Sequence, residues 1–124
     1  MIDQFISHQV KGHGRGKTLG FPTINLKIPA NFKLQAGIYA AWVTINDRKF
    51  KGALHFGPIP TFGEKKMSLE VFLIDVADIP LDITGFIEVE TVKKIRDVKK
   101  FLSPQALTNQ MKKDVAEAII WLHE

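Results

Sequence analysis

Helical periodicity appears once in this chain, at its end, and what precedes it is a succession of short strand-like segments with no helix between them. Six segments read as strands: 5–10, 23–28, 38–45, 49–56, 67–75 and 86–92. Turn and loop signals separate them, among them Pro29-Ala30-Asn31, Asn46-Asp47-Arg48 and the Pro-rich stretch 58–63. Parallel neighbours would need helical crossovers, and none is available, so the sheet is expected to be antiparallel. A small antiparallel sheet removes its exposed edges by closing on itself. The expected fold is mainly β, an antiparallel barrel of six strands. After it Ser103 offers an N-cap, Pro104 the first helical position, and Leu107, Met111, Val115, Ala118, Ile119 and Leu122 fall on one stripe. That C-terminal α-helix reads as a packing element outside the barrel, with Lys112-Lys113 on its solvated face.

The least ordinary stretch is 12–25, Gly-His-Gly-Arg-Gly-Lys-Thr-Leu-Gly-Phe-Pro-Thr-Ile-Asn. Glycines let a loop present backbone N–H groups to an anion at close range, while Arg15 and Lys17 supply charge. A plain turn and a nucleotide site are both open at this point. Two familiar nucleotide motifs are excluded. Lys11 occupies the first glycine position of a P-loop, and Gly20 and Pro22 forbid the helix that should follow; Lys17 occupies the third glycine of a dinucleotide fingerprint. Thr23 and Asn25 are separated by one residue, so in an extended chain they point to the same side. Two neutral oxygen donors there suit a hard cation such as Mg²⁺.

The 124 residues fit one domain, residues 1–124, with 45% hydrophobic and 24% charged residues. The absence of cysteine removes disulfides, thiolate metal sites and cysteine nucleophiles together, and histidines at 8, 13, 55 and 123 lack ligand-like spacing. No apolar run approaches the ~18 residues of a membrane span, and the N-terminus has no leader-like pattern. A cytoplasmic protein with no membrane partner, monomeric, is expected. A net charge of +4 suits anionic partners and does not choose between nucleotide and nucleic acid.

In the segment 67–75, strand parity puts Leu69, Val71 and Leu73 on one face and Glu70 with Phe72 and Ile74 on the other. A carboxylate on a largely apolar face is either a surface residue of a half-exposed strand or a candidate general base.

Gly12, Gly14, Gly16 and the run Leu19-Gly20-Phe21-Pro22-Thr23-Ile24-Asn25-Leu26 resemble the G-x-x-x-G-x-x-L-G-F-P-T-A-N-L signature of the riboflavin kinase family, with Ile24 in place of alanine. The resemblance continues through Pro60-Thr61-Phe62 and through Glu70-Val71-Phe72-Leu73-Ile74-Asp75, similar to E-V-H-L-L-D. Arg96, Lys100 and Phe101 match L-R-x-E-x-K-F, and Leu107, Gln110 and Asp114 match a closing L-x-x-Q-I-x-x-D. It implies a six-stranded Greek-key barrel with the helix outside, and a kinase that moves the γ-phosphate of ATP to riboflavin, giving FMN and ADP. By the same resemblance Glu70 is the base. Gly12, Gly14, Arg15, Gly16, Lys17, Thr18, Gly20, Pro22, Thr23 and Asn25 bind the nucleotide. Thr23 and Asn25 hold Mg²⁺, or Zn²⁺ or Mn²⁺ in its stead, and Arg96, in the loop before the helix, contacts the flavin with Phe101 and Phe72.

Four positions depart from the family pattern. His55 lies in Leu54-His55-Phe56-Gly57 against A-N-I-G, Phe72 replaces histidine, Thr84 replaces the tyrosine of D-L-Y-G, and Val98 stands where an acidic residue is expected. Because nothing precedes residue 1, product formation is expected to stop at FMN. Two other readings compete: a non-catalytic flavin or nucleotide binding module of the same fold, and a basic barrel binding single-stranded nucleic acid through Trp42, Phe56 and Phe72. Aromatics in a barrel are more often core, so no nucleic-acid partner is expected.

Overall fold

The computed structural model describes residues 3–11, 20–63, 65–76, 83 and 85–123. Its strands are β1 (Asp3–Ser7), β2 (Gln9–Val10), β3 (Thr23–Leu26), β4 (Gly37–Ile45), β5 (Arg48–Gly57), β6 (Ser68–Leu73) and β7 (Ile87–Arg96). A 3-10 turn, Pro60–Phe62, precedes β6, and one helix, α1 (Pro104–Trp121), follows β7. All strand pairs are antiparallel, in the order β1-β7-β4-β5-β6-β3-β2.

The two ends of that order are one piece of chain. β1 pairs with β7 and β2 with β3, and only His8 lies between them. The run 5–10, expected as a single strand, changes partner at this residue and draws the two outer strands of the sheet together. Lys27 N–H donates to the His8 carbonyl at 3.0 Å, and the Ser7 hydroxyl donates to the Lys27 carbonyl across the same joint. Seven strands by pairing are therefore the six of the sequence reading, with the first divided.

Alternation decides which side chains enter the barrel. Ile24, Val43, Leu54, Leu69, Val71, Ile87 and Val89 are buried inside it, each contributing about 1.5–3 kcal/mol relative to exposure. Phe32 closes one end with edge-to-face contacts to Phe5 and Phe56 at 4.8 and 4.9 Å. Gly52 is required by this packing, since a Cβ there would stand 2.7 Å from Val71 Cγ2. Asn46 and Asp47 turn the β4-β5 hairpin with φ of 49° and 65°, the left-handed pair that a tight two-residue connection needs.

Helix α1 begins as its sequence dictates: the Ser103 hydroxyl accepts from Ala106 N–H at 3.1 Å, and Pro104 occupies the first turn. Its inner line packs Ala118 and Leu122 on Ala40 and Ile74, with Trp42, Phe72, Val92, Ile95 and Val115 around them. Ile119, expected on the buried stripe, is turned outward, 41% exposed. The helix touches the convex barrel along a narrow line that passes through 118 and 122. No helix among the described residues is long and apolar enough to cross a membrane.

Candidate active site

Strand register assembles the site as one row across the outer face of the sheet. Successive cross-strand partners are Arg96, Ile38, His55, Glu70 and Asn25, on β7, β4, β5, β6 and β3. The next outward row carries Ala40, Ala53, Phe72 and Thr23. The intervening positions, Tyr39, Leu54, Val71 and Ile24, face the core. Parity thus separates the core residues from those on the outer face.

Glu70 is held by two hydroxyls. Thr23 Oγ1 donates to its Oε1 at 3.1 Å and Ser68 Oγ donates to its Oε2 at 3.1 Å, fixing the carboxylate plane. His55 Nδ1 lies 3.9 Å from Oε2. The other ring nitrogen, Nε2, is 3.1 Å from the Pro58 carbonyl, which can only accept, so this nitrogen carries a proton.

Beside Glu70 opens a mostly apolar cavity of about 110 Å³ between the sheet and α1. Phe21 and Phe72, edge to face at 5.2 Å, form one wall; Leu107, Met111 and Val115 of α1 form the other. Arg96 and Asp114 stand in its lining as well. Asp114 is buried on the helix and accepts from Arg96 Nε at 2.9 and 3.1 Å and from Arg96 Nη2 at 2.7 Å, a forked pair that answers a buried charge.

Glu70, Thr23, Phe72 and Arg96 converge on the cavity, and Asn25 lies next to Glu70 in the row. Arg96 is the last residue of β7 rather than part of a loop. The strand runs four residues past Val92, and register shifts between Ile38 and Tyr39 and between Ala40 and Ala41 erase the alternation that would have shown it. Phe101 does not line the cavity. Its ring lies under the Arg96 guanidinium at 5.5 Å, and its N–H donates to Thr61 Oγ1. Gly20, with φ of 85°, and Pro22 lead into β3. The remaining loop residues Gly12, Gly14, Arg15, Gly16, Lys17 and Thr18, and the departure at Thr84, lie outside the described residues. Val98 packs over Gly57, where a Cβ would meet it at 2.8 Å.

Sequence reasoning missed Ser68, Phe21 and the part α1 plays. Ser68 was legible, because it lies two residues before Glu70 on the same strand face. The helix was read as packing alone, yet it supplies one cavity wall and the partner of Arg96.

The donor set of Thr23 and Asn25 fits a hard cation. Thr23 spends its proton on Glu70, which leaves its oxygen lone pairs available for a metal, and Asn25 shares its face. Among the described residues no three His, Cys, Asp or Glu side chains form a metal-holding group.

The family model "Flavokinase: Riboflavin kinase" matches residues 4–122. The chain belongs to the riboflavin kinase family. It is 33% identical over 112 residues to a bifunctional riboflavin kinase/FMN adenylyltransferase of Bacillus subtilis, a match covering 89% of this chain and 35% of that one. The RNA-binding riboflavin kinase RibR of the same organism is 38% identical over 109 residues, covering 86% and 46%. A crystal structure described as a macrolide-efflux protein from Streptococcus pneumoniae superposes with a TM-score of 0.79 at 30% identity, over 96% of this chain and 39% of the other. The chain thus spans between a third and a half of the length of these curated relatives. In this family setting, the row on the outer sheet face is the candidate phosphotransfer site.

Proposed function

We propose that this domain transfers the γ-phosphate of ATP to the ribityl 5′-hydroxyl of riboflavin, with Glu70 as general base. The supporting observation is the oriented Glu70 carboxylate, set between the oxygen donors Thr23 and Asn25 and the apolar cavity that ends at Arg96. In the reaction the ribityl oxygen attacks the γ-phosphorus, the bond from that phosphorus to the β–γ bridging oxygen breaks, ADP leaves, and the hydroxyl proton passes to a Glu70 oxygen. Phosphoryl transfer asks for alignment and charge neutralisation more than for covalent chemistry. Thr23 and Asn25 would hold Mg²⁺, which when bound offsets phosphate charge. The cavity walls, Phe21, Phe72 and Met111, would take the flat apolar part of the flavin and exclude water from the reacting oxygen. The glycine-rich stretch 12–20 would cover the nucleotide, and the protein would work as a cytoplasmic monomer.

Incubation of the purified protein with riboflavin, ATP and Mg²⁺, followed by chromatography of the flavins, tests this reading. FMN and ADP are expected in equal amounts, and chelation of the metal should abolish both. Riboflavin binding without any FMN would instead establish a binding module of the same fold, with His55 and Phe72 the first residues to revert.

A further inference from the structure

We infer that Asp114 is a positioning residue for the flavin acceptor: from helix α1 it fixes the Arg96 guanidinium in the cavity lining, with two N–H donors left for the substrate. The inference rests on the kinase reading of the site. Asp114 is 3% exposed, and its carboxylate accepts from Arg96 Nε and Nη2 and, at Oδ1, from Gln110 Nε2 at 3.0 Å. Arg96 is constrained on its other sides too. Nη1 donates to the Asp97 carbonyl at 3.1 Å, and the Phe101 ring lies 5.5 Å from Cζ.

An arginine has five N–H donors. Three are engaged, one on each nitrogen, and the two that remain have no acceptor among the described residues. A guanidinium whose rotamer is already fixed loses little entropy when a ligand meets it.

A buried ion pair serving only to fasten the helix would gain little over apolar packing. Both partners of this pair instead lie in the lining of the cavity, and Arg96 stands on the same register row as Glu70. The row also assigns the substrate. Asn25 is one strand from Glu70 on the phosphate side, whereas Arg96 is three strands away on the other side, roughly 14 Å at ordinary strand spacing. A group that far from the phosphates meets the distal end of the acceptor, whose pyrimidinedione carbonyls are hydrogen-bond acceptors.

The test is steady-state kinetics of Asp114→Asn with both substrates varied, together with riboflavin titration by flavin fluorescence. The expected result is a KM for riboflavin raised about tenfold or more, the scale of a lost charge-assisted hydrogen bond, while KM for ATP stays within about twofold. Arg96→Lys, which keeps the charge and loses the fork, should give the same asymmetry even where Asp114→Asn folds poorly. Asp114→Glu should recover part of the loss. A fall in Tm with both KM values unchanged would overturn the inference and make the pair a helix fastening, leaving the kinase reading intact. Wild-type protein that binds riboflavin and makes no FMN would remove the kinase reading alone, and the riboflavin affinities of the variants would still decide the role of Asp114. Wild type that binds no riboflavin would overturn both.

Discussion

Glu70→Gln separates chemistry from scaffold in a single substitution. The amide has the size of the carboxylate and keeps an oxygen for the Thr23 hydroxyl, which now donates at 3.1 Å. Its nitrogen would meet the Ser68 hydroxyl, which can rotate from donor to acceptor. Both local bonds survive in exchanged form, so the cost to stability is about 1 kcal/mol or less, a Tm change of a few degrees in a domain of this size. Activity should respond differently, because an amide cannot take the hydroxyl proton. Loss of a positioned base lowers kcat by about 10²–10⁴-fold, or about 3–5 kcal/mol in barrier height. The assay is the initial rate of FMN formation at saturating riboflavin and ATP, with a thermal melt on the same preparation. A kcat within about threefold of wild type, with Tm unchanged, would refute the base assignment. A Tm lower by more than about ten degrees would show that Glu70 is chiefly part of the scaffold.

Other outcomes follow from single features. Thr23→Val removes a donor to Glu70 and a candidate metal oxygen while keeping the strand's shape, so the Mg²⁺ concentration for half-maximal FMN formation should rise about tenfold, a lost ligand's worth on the usual scale of charged hydrogen bonds. Gly52→Ala drives a methyl to 2.7 Å from Val71 and 3.1 Å from Val43, both fully buried; overpacking of this kind costs about 1–3 kcal/mol and should appear as a lower urea midpoint with an unchanged m-value. Tyr39 is the single tyrosine, so ultraviolet titration reads it alone. Burial raises its pKa above the ordinary 10.0, against a smaller lowering by Lys94. The neutral phenol is therefore favoured by folding, its contribution is complete below pH 10 and fades as pH climbs through the raised value, and phenolate absorbance should develop later than in the unfolded chain.

The strands were legible because their chemistry is local. Alternation located them, Asn46-Asp47 marked the hairpin, and Ser103-Pro104 marked the helix start. Strand parity also placed Glu70 opposite the core, and the family likeness gave it a role. What stayed hidden depends on partners distant in sequence. Arg96 was misplaced in a loop because a bulged strand loses its period of two, and the basic run Lys93-Lys94 looks like solvent-facing connector. Asp114 gave no sign of burial, since its partner is 18 residues away and on a different element. Nor could Ile119 be told from Ala118 as the buried neighbour, because a convex barrel admits only a narrow strip of helix.

The division of the first strand at His8 has a kinetic side. Its two halves are the end strands of the sheet order, paired with β7 and β3, and the Gln4 to Glu90 hydrogen bond spans 86 positions. β1 is thus among the last strands to find its partner, since β7 must be complete before β1 has anywhere to dock. Until then β7 and β3 each present an unpaired edge, and the search that ends this exposure carries the slow rate of a distant contact. A sequence fused ahead of residue 3 is tethered to the very segment that seals the barrel.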